Sequence, residues 1–248
     1  MCSRMNDASP RAAAGRPVLL LLPGLLCDAS VWEPQRRAFA ADYEVVIPHF
    51  WGFDSLEEMA LHALELAGEG PVNVAGHSMG GRVALEILRL APERLTRLAL
   101  LDTGVHGARE GEAAQRQVLI DLCRQEGMEA LVRVWLPPMV HPDRVQDDDL
   151  VRPMAEMIRR ATPEIFEGQV KALLNRPDAT DYLPKIACPT AVICGRQDGW
   201  SPFPRHEEMA AAIPGAVLTA IEDSGHMSTL ERPEAVTAAL RAWLARPA

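Results

Sequence analysis

Lysine is almost missing from this chain of 248 residues: Lys171 and Lys185 are the two, so nearly all positive charge is guanidinium, a compositional bias. The 25 Lys plus Arg stand against 34 Asp plus Glu, giving a formal charge of −9 with no basic run. Nucleic-acid binding needs Lys or Arg to displace counterions from phosphates, so no DNA or RNA partner is expected. Metal-type cysteine spacing is also lacking. Cys2, Cys27, Cys123, Cys188 and Cys194 are odd in number and scattered, with no Cys-x-x-Cys pair. Free thiols throughout fit a reducing cytoplasm. No stretch approaches the ~18 apolar residues of a membrane span, so no membrane partner is expected. Arg4, Arg11 and Arg16 ahead of Val18 to Leu22 and Cys27 imitate a leader peptide. Pro23 and Gly24 break that apolar run and no small residue sits just before Cys27, so secretion is not expected.

What is present is a core. Hydrophobic residues make up 48% of the chain, enough for one domain of this length with an inserted subdomain. Short apolar runs recur at Val18 to Leu22, Glu44 to Ile47, Val72 to Ala75, Leu98 to Leu101, Thr190 to Cys194 and Ala216 to Ile221. Too short for helices and bounded by Pro, Gly or Asp, they read as buried strands. Between them, Leu56 to Ala67 and Val83 to Leu90 repeat apolar residues at helical spacing. Strand-helix alternation gives the α/β class, a mostly parallel sheet of about six strands covered on both faces. From Gly104 to Leu183 the alternation stops and only helical patterns remain, punctuated by Pro137, Pro138, Pro142, Pro163 and Pro177. The expected layout is a loose tail over 1–16, a core over 17–103 and 184–248, and a helical cap over 104–183. Such an insertion sits at the carboxyl ends of the strands, where α/β proteins bind ligands.

The segment from Val72 to Gly81 joins a strand to a helix through Gly76-His77-Ser78-Met79-Gly80. The bare Gly-x-Ser-x-Gly pattern arises by chance in roughly one chain in twelve of this length. Its setting supplies the specificity, because a sharp strand-to-helix bend demands small residues two before and two after the serine. Ser78 then projects at the helix N-terminus, with the Met79 amide where an oxyanion develops. A serine hydroxyl needs a base to take its proton, and the base needs a carboxylate to fix its tautomer. Asp198 follows the strand ending at Cys194 and His226 follows the strand ending at Ile221, so both reach the same end of the sheet.

From about Pro17 to Leu244 the chain resembles the α/β-hydrolase superfamily, of the compact serine hydrolase or carboxylesterase type with a helical cap. The resemblance rests on Leu22-Pro23-Gly24-Leu25, Gly76 to Gly81, Gly195-Arg196-Gln197-Asp198 with Pro202 beyond, and Asp223 to His226 with Glu231-Arg232-Pro233 following. It implies Ser78 as nucleophile, His226 as general base and then acid, Asp198 as orienting partner, and the backbone amides of Leu25 and Met79 as the oxyanion hole. No cofactor and no metal are implied. Many relatives carry His-Gly where Pro23-Gly24 stands here, and the hairpin of an eight-stranded sheet has no room before Val18 unless Met1 to Arg16 forms it, so a six-stranded core is expected.

Other conspicuous residues have plainer readings. His77 packs, since adjacent side chains in such a turn point apart. Asp102 ends a strand at a position from which some hydrolases supply the carboxylate, the alternative to Asp198. His49, His62, His106, His141 and His206 show no metal-ligand spacing, with His106 a pocket neighbour. Asp147, Asp148 and Asp149 read as a helix start. Trp135, Met139, Met154, Met157 and Trp200 are the candidate acyl-pocket residues. Arg124, Arg133, Arg152, Arg159 and Arg160 read as surface residues, any of which could pair with a substrate carboxylate.

The expected activity is hydrolysis of small to medium carboxylic esters, with the acidic charge favouring uncharged or weakly charged substrates. C–C (diketone) hydrolysis, lactone opening, thioester hydrolysis and perhydrolysis use the same residues. A ligand receptor retaining the triad, or an interaction module, are the non-enzymatic alternatives. Serine at the elbow argues against the dehalogenase and epoxide-hydrolase chemistries of this fold, which use Asp. Oligomeric state is open, with a homodimer through an exposed cap face one arrangement.

Overall fold

The computed structural model describes residues 15–247, so the tail expected over 1–16 lies almost wholly outside the described residues. The core sheet is built from β1 (Val18–Leu22), β2 (Glu44–Val46), β3 (Val72–His77), β4 (Leu95–Leu101), β5 (Thr190–Gly195) and β6 (Val217–Ile221). All neighbours pair in parallel, in the order β2-β1-β3-β4-β5-β6. Among the described residues six strands form the sheet, as the short apolar runs require. Leu19, Leu20, Leu21 and Leu22 have no exposed surface, because a central parallel strand is covered on both sides and every residue faces a packed layer. Each such leucine contributes about 1.5–3 kcal/mol on burial.

The helices in chain order are α1 (Glu33–Phe39), α2 (Leu56–Leu66), α3 (Met79–Leu90), α4 (Glu112–Glu126), α5 (Met128–Trp135), α6 (Asp148–Arg159), α7 (Pro163–Leu174), α8 (Phe203–Ala212), α9 (Ser228–Glu231) and α10 (Pro233–Leu244). The chain leaves β1 toward one edge of the sheet through α1, and leaves β3 toward the other through α3. Right-handed crossovers in opposite directions put those helices on opposite faces. Accordingly α1 packs on α10, while α2 packs on α3. The strand order reverses between β1 and β3, which opens a crevice at their carboxyl ends. Ser78 stands in that crevice, immediately after β3.

Between β4 and β5 the structure holds α4 to α7 and no strand, in agreement with the helical patterns of that stretch. Asp147 caps α6, its carboxylate accepting from the Leu150 amide at 3.3 Å, so the triple-aspartate run is a helix start. Most boundaries fall within two residues of the sequence reading, and two differ by three or more. β4 begins at Leu95 rather than Leu98, and α3 begins at Met79 rather than Val83. Gly80 and Gly81 add no apolar side chain to the helical pattern, yet they form the first turn of α3, where it presses on the Leu22 carbonyl and the Thr103 side chain. Among the described residues no helix is long and apolar enough to cross a membrane.

Candidate active site

The elbow is set by steric exclusion at its two flanks. A Cβ on Gly76 would lie 2.2 Å from the Gly80 carbonyl oxygen, and one on Gly80 would lie 2.1 Å from the Leu22 carbonyl oxygen. These are backbone atoms that cannot rotate away. Ser78 at the apex has φ +54°, a left-handed conformation that strains a side-chain-bearing residue. Its amide donates to the Leu101 carbonyl at 2.9 Å and its carbonyl accepts from Thr103 Oγ1 at 2.7 Å, so β4 holds the strained residue in place. Gly80→Ala is expected to cost about 3 kcal/mol through overpacking. Thermal unfolding should register that as a Tm loss of roughly 6–12 °C, and an unchanged Tm would contradict the tight elbow.

The three residues that sequence order brought to one end of the sheet meet there. His226 Nε2 lies 2.8 Å from Ser78 Oγ, and His226 Nδ1 lies 2.8 Å from Asp198 Oδ2. The other Asp198 oxygen accepts from the amides of Trp200 and Ser201, each at 2.8 Å. That carboxylate is therefore acceptor-only and fully engaged. With Nδ1–H donated to Asp198, the neutral ring presents Nε2 as an acceptor to the serine hydroxyl. Burial of His226 would by itself lower its pKa, but the charge and hydrogen bond of Asp198 outweigh it and hold the ring above 6.5. Asp198 moves the opposite way: burial opposes ionisation, and His226 with the two amides draws it below the ordinary carboxylate value.

Neighbouring groups pin the histidine loop. The His226 amide donates to the Met139 carbonyl at 2.7 Å. Glu231 is buried and bridges two loops, accepting from the Gly225 amide at 2.9 Å and the His141 amide at 2.8 Å. His77 packs as expected, its Nε2–H donating to the His226 carbonyl at 2.8 Å. Burial, with the nearby His226, pulls His77 down to about 4, so it stays neutral.

Asp102 does not reach His226 Nδ1. It accepts from Ser228 Oγ and from the Gly195 amide at 2.8 Å, which ties α9 to the end of β5. Burial, reinforced by the Asp198 charge, pushes it up to about 8. Asp102, Cys194 and Asp198 bring possible ligand atoms within 4.8 Å of one another. Each is already engaged with protein groups, and burial raises the Cys194 thiol, so no thiolate is available to a cation there.

The Leu25 amide donates to no protein acceptor among the described residues, and the Met79 amide belongs to the first helical turn, where no intrahelical acceptor exists. Sequence reasoning missed the group that holds the first of these loops. Gln169 on α7 accepts from the Leu26 amide at 2.8 Å and donates to the Phe50 carbonyl at 3.1 Å, fully buried. Leu26 itself sits at φ +60°, so this side chain fixes a strained loop beside Ser78. The available signal was a glutamine on the apolar face of a helix. Gln169→Leu leaves the Leu26 amide without a partner and the Phe50 carbonyl with the Phe53 amide alone, and is expected to cost about 2 kcal/mol of stability. A chemical-denaturation midpoint equal to wild type would contradict this role.

A cavity of about 470 Å³ opens on Ser78 and His226. Trp135, Met139, Met157 and Trp200 line it, as does His106. Met154 does not. It is fully buried one helical turn before Met157 on the same face of α6, and the cavity wall ends short of that turn. The five arginines singled out from the sequence lie elsewhere, paired with Glu167, Glu126, Asp149, Glu129 and Asp28 respectively.

This strand order, the elbow and the convergent Ser, His and Asp define an α/β-hydrolase fold. The sequence profile of the alpha/beta hydrolase family matches residues 19–239, and the chain belongs to that family and is a hydrolase of that superfamily. Among curated proteins it is 29% identical to RutD of Stutzerimonas stutzeri, which carries the name of a carbamate hydrolase, over 88% of each chain. It is 30% identical to an Escherichia coli protein of the same name, over 96% of this chain and 93% of that one. Among solved structures, a thermophilic esterase from Thermogutta terrifontis is 30% identical with a TM-score of 0.85, covering 92% of this chain and 89% of that one. The enol-lactonase of Burkholderia xenovorans shares the fold, with TM-score 0.84 at 24% identity over 94% of this chain and 93% of that one.

Proposed function

We propose that the protein hydrolyses small to medium carboxylic esters through an acyl-enzyme on Ser78. The observation that carries this is the 2.8 Å and 2.8 Å relay from Ser78 through His226 to Asp198, opening on a cavity of about 470 Å³. His226 takes the Ser78 proton as Oγ attacks the ester carbonyl. The amides of Leu25 and Met79 hold the oxyanion of the tetrahedral intermediate. His226 then passes the proton to the departing alkoxide. Water, deprotonated by the same ring, attacks the acyl-enzyme, and collapse of the second intermediate returns the proton to Ser78 and releases the acid. Asp198 stays ionised throughout and stabilises the imidazolium. Residues 104–183 act as a cap that closes the acyl pocket with Trp135, Met139 and Met157. The free thiols of Cys27, Cys123, Cys188 and Cys194 fit a reducing cytoplasm.

Carbamates are the second reading, favoured by the RutD relatives that match across most of the chain. The same attack and the same oxyanion would serve, the alcohol or phenol leaving first and water then releasing a carbamic acid, which loses CO2 to give the amine or ammonia. A panel of p-nitrophenyl esters of graded acyl length, run beside a p-nitrophenyl carbamate, tests both. Turnover falling steeply beyond short acyl chains is the expected outcome. Absence of turnover on every ester, with Ser78 unlabelled by a fluorophosphonate, would overturn the ester reading.

A further inference from the structure

The cavity wall has a charge opposite to that of the chain as a whole. Arg82, Arg109, Arg116, Arg176 and Arg205 line it, and Glu112 and Asp102 are the lining carboxyls. Asp102 is spent on Ser228 and Gly195 and is mostly protonated at neutral pH. Glu112 is held between Arg116 at 2.9 Å and Arg176 at 2.9 and 2.7 Å. The guanidinium groups thus outnumber the available carboxylate on this wall, in a chain of formal charge −9.

Arg82 is the informative member. It lies on α3 one helical turn beyond Ser78, on the same side of the helix. Among the described residues its guanidinium forms no ion pair and makes one hydrogen bond, from Nη1 to the His106 carbonyl at 2.8 Å. The same carbonyl accepts from Arg176 Nε at 3.0 Å, so two guanidinium groups converge on one loop. A guanidinium has five N–H donors, and four of those on Arg82 have no protein acceptor. Space has been left for it: a Cβ on Gly104 would stand 2.8 Å from Nη2. Burial, then the neighbouring Arg176, draws Arg82 down to about 9, the direction of a cation short of counter-charge. It remains charged at neutral pH. The side chain keeps some exposure to the cavity, and a bound carboxylate would supply there the counter-charge that the protein does not.

Resting on the ester-hydrolase reading, we infer that the substrate carries a carboxylate that pairs with Arg82, as in a half-ester of a short dicarboxylic acid. The ester carbonyl is placed at Ser78 while the carboxylate takes the forked donors of the guanidinium one turn along α3. Hydrolysis breaks the ester C–O bond, adds water across it, and releases a dicarboxylate and an alcohol. Arg82 changes no bond and moves no proton. The expectation of uncharged substrates drawn from the net charge is thereby replaced, since an average over the surface says nothing about one wall of one cavity.

Initial rates with monoethyl glutarate and ethyl pentanoate, followed by proton release, test this. In the unaltered enzyme kcat/KM for the half-ester should exceed that for the neutral ester by at least tenfold. Arg82→Gln should lower that ratio by about 30-fold or more, chiefly through KM, and Arg82→Lys should restore part of it. A second measurement needs no variant: glutarate should inhibit ethyl pentanoate hydrolysis competitively, and glutaramide should not. A ratio at or below one, or equal inhibition by glutarate and glutaramide, overturns the carboxylate inference. If ethyl pentanoate is still hydrolysed and Ser78 is labelled by a fluorophosphonate, the hydrolase reading survives that failure. If neither ester is turned over and Ser78 is not labelled, both fall.

Discussion

Ser78→Ala lowers kcat for a good ester substrate on the order of 10⁶-fold, while KM changes little. The magnitude follows from how the site is connected. His226 Nε2 has one acceptor task, the Ser78 proton at 2.8 Å, and without that hydroxyl the ring has no nucleophile to activate. Other serine hydrolases lose about this much when the nucleophile is removed, and the remaining rate over water comes from the oxyanion donors and binding. In free energy it is about 8 kcal/mol of transition-state stabilisation. The fold itself should be untouched, since the Ser78 hydroxyl makes no structural bond besides that to His226. Wild-type turnover in this variant would remove the basis for the proposed chemistry.

Asp198→Asn is the second large effect, expected at about 10⁴-fold in kcat, because an amide in that place favours the wrong imidazole tautomer. It also has a pH signature. His226 works as a base only when neutral, so in the unaltered enzyme kcat/KM should rise with pH through an apparent pKa above 6.5. Removing the Asp198 charge leaves burial to dominate, and the residual acid limb should move to lower pH. The same variant decides between the two carboxyls the sequence offered. Were Asp102 the partner of His226, Asp198→Asn would be mild and Asp102→Asn severe. The hydrogen bonds point the other way, with Asp198 on Nδ1 at 2.8 Å and Asp102 on Ser228 and Gly195.

Much of this could be read from the chain because the relevant constraints are local. A four-leucine run, a glycine on each side of a serine, and an aspartate and a histidine each just past a strand need little knowledge of tertiary structure. The convergence of Ser78, Asp198 and His226 follows from parallel strands ending on one side. The parts that escaped depend on how distant segments face one another. Gln169 looks like an ordinary helix residue until α7 is laid against the Leu25 and Leu26 loop. Met154 and Met157 are three apart on α6, and only the packed helix shows which one meets the cavity. Arginine is abundant throughout, so Arg82 could not be told from Arg124 or Arg159 before the structure showed which cations have carboxylate partners.

The central claim is that an acyl group passes through Ser78. Rapid acid quench of the enzyme during turnover of a p-nitrophenyl ester, followed by peptide mass measurement, tests it most directly. The expected result is a mass increase of one acyl group on the peptide carrying Ser78, absent from Ser78→Ala. An acyl group found on another residue, or continued turnover by Ser78→Ala, would contradict it.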